Sequence, residues 1–323
     1  VTASTARLMS GLAQHAHWAE PYRPPTLRVL SIGHAVAMSP GMIVTQGGQL
    51  LDDNTGFGNA ELCAHQPPGF AGVTAAGGQI LVAVRHRDVA RVAEPMLYLP
   101  AENNYAAWLF GGLPRLAAYA SFGELPILLH GDAAPYHFDS LRAMGVSEAR
   151  LRIHRGQVRA ECKSLIYCTA SYSHHAPSAR GIRHVREHIE GAPGEARRVY
   201  FARRHARDRP LLNEAEVITL LERHGFVAID PERHSFDEQV GIAMGAEVLA
   251  GPYGANLANM LFARNARKLL ILGTKHQPEF ARLASALGIA SWHIVPQAVK
   301  IREGRTFSES HGFIADLAAV ETA

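Results

Sequence analysis

Residues 199–295 alternate short apolar runs with helical stretches, and that alternation restricts the fold more than any other feature of the chain. Residues 199–202 read as a strand. A basic loop follows from Arg203 to Arg209, and a helix opens at Asn213 with Glu216 as its capping partner. Residues 226–229 read as a short strand ended by Asp230-Pro231, and Ser235-Phe236-Asp237-Glu238 spells a capping box at the head of the next helix. A strand at 248–250 runs into Gly251-Pro252-Tyr253-Gly254 and a helix through Met260. Then come a strand at 268–272, a helix at 278–287, a strand at 292–295 and an amphipathic stretch at 308–320. Strands joined by helices in this way are βαβ units, which build a parallel sheet covered on both faces. The second half is therefore expected to be a doubly wound, Rossmann-like α/β domain.

The first half is less regular. Residues 27–32, 42–45 and 79–84 look like strands, with Gly47-Gly48 and Asp52-Asp53-Asn54 as turns. From Asn104 the spacing turns helical, with Leu109, Leu113, Leu116 and Tyr119 along one stripe. Residues 126–129, 135–144 and 151–153 read as strand, helix and strand, so this half is also α/β, with an antiparallel N-terminal extension. A polar stretch at 174–195, broken by Pro177, Gly181, Gly191, Pro193 and Gly194, separates a domain at 1–173 from a domain at 174–323. The length of 323 residues suits two domains of about 150 residues each.

Composition narrows the function classes. Lys+Arg number 32 against 29 Asp+Glu, a net charge of +3 spread along the chain, which is far from a nucleic-acid-binding footprint. The mild positive balance suits an anionic small ligand such as a nucleotide diphosphate, and peripheral contact with an anionic membrane surface. Cys63, Cys162 and Cys168 are odd in number and form no CxxC pair, which argues against a disulfide framework and fits a reducing, cytoplasmic compartment. No stretch reaches the roughly 18 apolar residues of a membrane-spanning helix. The opening Val1-Thr2-Ala3-Ser4 has neither an initiator Met nor a signal-peptide pattern, as a trimmed start would.

Three features of the second half could bind a ligand. A glycine-rich turn at Gly251-Pro252-Tyr253-Gly254-Ala255-Asn256, between a strand and a helix, lets backbone N–H groups approach an anion at the positive end of the helix dipole. It is equally readable as a tight βα turn, and it is not the GxGxxG dinucleotide fingerprint, which weakens a nicotinamide-dependent reading. The basic loop 203–209 follows a strand of the same sheet, where ligands of open α/β sheets bind, and its arginines could clamp a diphosphate; alone it would pass for a solvated loop. Glu238 could accept both ribose hydroxyls or serve only as a capping residue. His184-Val185-Arg186-Glu187-His188 matches a zinc-peptidase spelling, but with eighteen histidines in the chain a chance match is easy.

Taken together, these residues resemble glycosyltransferase family 61, also called DUF563. Asn104-Tyr105-Ala106-Ala107-Trp108-Leu109 and Leu113-Pro114-Arg115-Leu116 are similar to the family's N-Y-x-H-W-L…LPRL helix. Residues 203–214 resemble its S-R-x-x-A-x-x-R-x-L-x-N-E, residues 235–240 its SFxEQV, and residues 251–259 its GPHGAGLAN. The resemblance implies a GT-B-like architecture, two Rossmann-like domains facing a cleft, and an inverting hexosyl or pentosyl transfer from a UDP-sugar. The acceptor would be a glycan or glycolipid in polysaccharide biosynthesis. No cofactor and no obligatory metal are implied, and no DxD-like carboxylate pair sits beside the glycine turn.

Carried over by position, Arg203 and Arg207 would hold the diphosphate, and Tyr253, Gly254, Ala255 and Asn256 would border it. Glu238 would bind the ribose, and Asn213 would order the basic loop. Asn104, Trp108 and Arg115 would lie on the acceptor side. Ala107 stands where the family helix usually has His, Gly111 where it often has an acid, and Tyr253 where the glycine turn usually has His. The usual proton-transfer groups are therefore missing, which leaves Asp132 and His174, with His130 and His175, as candidates for the base. The alternative is a catalytically impaired nucleotide-sugar or glycan-binding relative.

Overall fold

A computed structural model of the chain describes residues 11–14, 26–38, 42–46, 50–51, 70–76, 79–84, 89–154, 159–169, 172–173, 176–206, 209–273, 278–295, 298–301 and 311–323. The chain divides into two compact units, an N-terminal unit Pro24–His188 and a C-terminal unit of Val1–Arg23 with Ile189–Ala323. Strand β1 (Gly11–Gln14) counts with the C-terminal unit.

The N-terminal unit carries β2 (Val29–Met38), β3 (Met42–Val44), β4 (Leu50–Leu51), the hairpin of β5 (Phe70–Ala76) and β6 (Gln79–Val84), and β7 (Val89–Val92). After these come β8 (Met96–Pro100), β9 (Ile127–His130), β10 (Leu151–His154), β11 (Arg159–Cys168) and the short hairpin of β12 (Tyr172–Ser173) and β13 (Ala176–Pro177). Its main sheet runs β10-β9-β8-β11-β2-β3-β4, with β7 also pairing on β11. The pairs among β8, β9, β10 and β11 are parallel, whereas β2, β3 and β4 form the expected antiparallel extension. Strands β8 and β9 are buried at every residue, as strands covered on both faces must be.

Between β8 and β9 runs a segmented helix over residues 105–122. It holds a π-helical stretch Trp108–Gly112 and a 3-10 turn Leu113–Arg115 before regular winding resumes at Leu116–Tyr119. A Cβ on Gly112 would come within 2.4 Å of the Trp108 ring, and Pro114 has no N–H to give an α-helical bond. The expected apolar stripe is buried throughout, at Leu109, Leu113, Leu116 and Tyr119. Helix α1 (Pro135–Ala143) and helix α2 (Ala179–His188) complete the unit. Arg180 of α2 donates to the Ala117 carbonyl at 3.1 Å, and Gly181 lies so close to Pro114 that a Cβ would reach it at 2.5 Å. This packing carries the N-terminal unit to residue 188, past the boundary at 173 read from composition.

In the C-terminal unit the chain forms β14 (Arg198–Phe201), α3 (Glu214–Arg223), β15 (Val227–Ile229), α4 (Phe236–Gly245), β16 (Val248–Pro252) and β17 (Lys268–Leu272). It continues with α5 (Pro278–Ala286), β18 (Ala290–Val295), β19 (Ala298–Ile301), β20 (His311–Ile314) and α6 (Leu317–Thr322). The sheet order is β1-β18-β17-β16-β14-β15, parallel from β18 to β15, with β1 antiparallel at its edge. One face packs Tyr200, Ala250, Leu270 and Leu272 against Val217 and Leu221 of α3 and Val320 of α6. Val199, Phe201, Leu249 and Ile271, which alternate with them, are equally buried, so both faces are covered. The fold is thus mixed α/β, each main sheet built on a parallel core with antiparallel strands at one side.

Three local expectations change. The helix after the glycine turn is a 3-10 helix, Ala255–Phe262. The stretch 308–320 is not one amphipathic element. Within its described part the hairpin strand β20 is followed by α6, because the Asp316 side chain caps α6 by accepting from the Ala318 and Ala319 N–H groups. Asn213 precedes α3 without capping it; its side-chain amide instead donates to the Ala315 carbonyl and accepts from the Ala315 N–H. Cys162 and Cys168 are buried and form no disulfide, and burial pushes the Cys162 thiol up to about 11. No helix among the described residues is long and apolar enough to cross a membrane.

Candidate functional site

The parallel strands of the C-terminal unit lie in the order β15-β14-β16-β17-β18. From β14 the chain first moves outward to β15, then returns to the other side of β14 to lay down β16. Such a reversal opens a crevice at the carboxyl ends of the two strands concerned, and ligands of open α/β sheets bind there. Here the crevice lies between Arg203, just past β14, and the glycine turn at the end of β16.

Polar bonds tie the two lips together. The Asn256 side-chain N–H donates to the Phe201 carbonyl at 2.8 Å, and the Arg203 guanidinium donates to the Tyr253 carbonyl at 2.9 Å. Glu214, buried at the start of α3, holds the loop from below: one carboxylate oxygen accepts from the Arg203 N–H at 2.7 Å and from the Tyr200 hydroxyl at 3.0 Å. Burial, helped by the Glu214 charge, holds the Tyr200 phenol well above its ordinary value, so it remains a donor. Gly254 is extended, with φ 173°, and a Cβ there would meet the Arg203 guanidinium at 2.7 Å.

Tyr253 forms the side wall. Its ring meets Phe280 edge-on at 5.0 Å, the Arg209 guanidinium lies 5.7 Å from its centroid, and its hydroxyl donates to Glu279 of α5 at 2.5 Å. Burial, then the Glu279 charge, raises the phenol far above its ordinary range. Arg209 takes a left-handed backbone, φ 50°, which costs energy for a residue with a Cβ. Among the described residues its Nε–H and the Asn256 side-chain oxygen are buried with no hydrogen-bond partner. A buried donor and a buried acceptor at one sheet edge can each take a polar partner from a ligand.

The N-terminal unit holds the other conspicuous sequence block. Asn104 caps the segmented helix, accepting from the Ala106 and Ala107 N–H groups at 2.9 and 3.1 Å. Trp108 is fully buried, its indole N–H donating to Ser140 at 2.8 Å and its ring 4.5 Å from His137. Arg115, also buried, donates to the Gly111 and Cys168 carbonyls at 3.0 and 2.8 Å.

The model for Glycosyltransferase 61 matches residues 95–270, more than half of the chain. The chain belongs to glycosyltransferase family 61. No curated protein matches it significantly. The matched span takes in the capped helix at 104, the basic loop, the capping box and the glycine turn, so the family's residues fall on the elements just described.

Within this family member the expected site residues divide as follows. Arg203, Tyr253, Gly254, Ala255 and Asn256 meet at the β14/β16 crevice. Arg207 lies outside the described residues, as do His174 and His175. Arg209, which the sequence reading passed over, is the arginine set against Tyr253, and the spacing of the S-R-x-x-A-x-x-R motif points to it. Asn213 fastens the far end of the loop to Ala315, while the loop's start is ordered by Glu214, the acid of the motif's closing N-E step. Glu279 carried no sequence signal.

Glu238 serves as the capping residue: one carboxylate oxygen accepts from the Ser235 N–H at 2.7 Å and the Ser235 hydroxyl at 2.9 Å. These bonds hold its carboxyl below the usual range, and its other oxygen takes none of the described hydrogen bonds. Trp108 and Arg115 lie buried in the unit's core, engaged by Ser140 and by the Gly111 and Cys168 carbonyls. His130 is buried, with its Nδ1 3.3 Å from the Tyr98 hydroxyl, and Asp132 is exposed just past β9. The His184 and His188 rings lie 4.0 Å apart, tilted by 49°, on α2; among the described residues no group of three or more metal-ligating side chains is placed to hold an ion.

Proposed function

We propose that the protein transfers a sugar, with inversion, from a nucleotide diphosphate sugar to a hydroxyl of a glycan or lipid-linked acceptor. The buried Arg209 N–H, without a partner among the described residues and set against Tyr253 at the sheet switch point where Arg203 also lies, carries this reading. A diphosphate would accept from the two arginines, and the exposed oxygen of Glu238 would accept from the ribose. The family resemblance favours UDP as the nucleotide. The division of labour would be that of a GT-B enzyme, donor on the C-terminal unit and acceptor on the N-terminal unit. The arginines would counter the leaving group's charge without an obligatory metal, and the reaction would take place on the cytoplasmic side, at or near a membrane surface. Ala107 and Gly111 favour a second reading, a relative that binds the donor without transferring it.

Replacing Arg203 by Ala tests the donor site. It should weaken UDP binding by about 1.5–3 kcal/mol, the range for hydrogen bonds to charged groups, and leave uridine binding nearly unchanged. Titration calorimetry with both ligands, with and without EDTA, makes the comparison. Equal losses for UDP and uridine would remove the diphosphate from the arginines. Tight UDP-sugar binding without turnover on any acceptor would favour the binding protein.

A further inference from the structure

The N-terminal unit has a switch point of its own. Its parallel strands run β10-β9-β8-β11: from β8 the chain steps outward through β9 to β10, then returns across β8 to form β11. The crevice this order creates lies at the carboxyl ends of β8 and β11. The backbone shows where the two strands part. Their pairing ends at Tyr98 and Tyr167, and beyond it the Tyr119 hydroxyl stands between them, donating to the Tyr98 carbonyl at 2.5 Å and accepting from the Cys168 N–H at 2.9 Å. Arg115 then fills the floor of the gap through its bond to the Cys168 carbonyl. Strand β8 stays joined to β9 on its other side, the Ala101 N–H donating to the His130 carbonyl at 2.8 Å.

Glu102 is the acidic residue on the loop that leaves β8 at this mouth, next to Ala101 and just before the Asn104 cap. Its backbone is clamped: its carbonyl accepts from the Tyr136 hydroxyl at 3.1 Å and from Nε2 of His137 at 3.0 Å, both on α1. Its side chain is half-buried and interacts electrostatically with the Arg115 guanidinium. No hydrogen bond or ion pair among the described residues engages the carboxyl. A carboxylate on a rigid backbone, partly shielded from water and open at a ligand-binding edge, is arranged as a general base.

We propose that Glu102 is the base that deprotonates the acceptor hydroxyl, in place of the side chains absent at Ala107 and Gly111. The assignment rests on the transferase reading above. As the acceptor oxygen forms its bond to the anomeric carbon, its proton passes to the Glu102 carboxylate. The bond from that carbon to the diphosphate oxygen breaks, and its electron pair leaves with the nucleotide diphosphate. Burial raises the Glu102 carboxyl above the ordinary carboxylate range against the opposing Arg115 charge, which brings its basicity closer to working pH. The other titratable groups around it are Tyr98 on β8, Tyr136 and His137 on α1; burial holds both phenols protonated and favours the neutral imidazole.

The test compares wild type, Glu102→Gln and Asp132→Asn for kcat against pH at saturating UDP-sugar, with UDP affinity measured on each. Glu102→Gln should lower kcat by about 10²- to 10⁴-fold at unchanged UDP affinity, and abolish the acid limb on which wild-type kcat rises with pH. Formate, a small carboxylate, should restore part of the rate to Glu102→Ala, which separates a missing base from a misfolded chain. Persistence of kcat and its acid limb in Glu102→Gln, or their loss in Asp132→Asn alone, would overturn Glu102 while leaving the transferase reading intact. A wild type that binds UDP yet transfers nothing would overturn the transferase reading and the base with it.

Discussion

At the scale of single residues, Gly254 and Arg203 act as one device. The sequence suggests that glycine is there to admit a phosphate; the structure adds that it admits the Arg203 guanidinium, which a Cβ would meet at 2.7 Å. The side chain that must yield is the flexible end of an arginine, so Gly254→Ala should fold with a melting temperature near wild type. Arg203 would then leave the Tyr253 carbonyl, and UDP affinity should fall nearly as far as in Arg203→Ala. The double variant should bind no more weakly than Arg203→Ala alone, because the two changes remove the same interaction. Additive losses by calorimetry would show that Gly254 meets the ligand independently. The arginine and the glycine stand out in the sequence because their motifs are local, and the structure sets them side by side. The partner through which Asn213 fastens the loop, Ala315, could not be read in advance because it lies a hundred and two positions away along the chain.

Elements were legible where their signals are local. The Ser235 capping box forms as spelled, with the Ser235 hydroxyl accepting from the Glu238 N–H at 3.3 Å while Glu238 returns the bond. Ser235→Ala should cost about 1 kcal/mol of stability, the usual loss for an N-cap, seen as a lower midpoint in urea at unchanged slope. An unchanged midpoint would mean that the box adds nothing to α4. The segmented helix at 105–122 shows the opposite case. Its apolar stripe was readable, but its π and 3-10 winding depends on where the Trp108 ring finds space beside Gly112, which no periodicity encodes.

At the scale of the whole molecule, burial is the first cause that lowers the pKa of three histidines among the described residues, His137, His154 and His184, each in the N-terminal unit. His137 uses both nitrogens as a neutral ring, Nδ1 accepting from the Ala134 N–H at 2.9 Å and Nε2 donating to the Glu102 carbonyl. In the unfolded chain these rings take up protons near pH 6.5, about their ordinary value, whereas the folded rings resist. The unfolded state therefore binds more protons as pH falls through that value, and stability drops until the folded rings also titrate. The raised Glu102 carboxyl shifts the other way and recovers a part of this loss. Hydrogen exchange at pH 7.5 and 5.5 should show protection falling first in the N-terminal unit; equal protection at both values would contradict the assignment.

Taken alone, the sequence determined the alternation of strands and helices, the capping box, the basic loop and the glycine turn, because each arises from backbone propensity and neighbours within a few residues. Only the tertiary structure decided the strand order, and with it the two switch points, since pairing depends on contacts between distant segments. The same long-range packing set Glu279 on the Tyr253 hydroxyl and buried Trp108 and Arg115 in the core. It also left Glu102 at the mouth of the β8/β11 gap, a position that its neighbours in the sequence do not reveal.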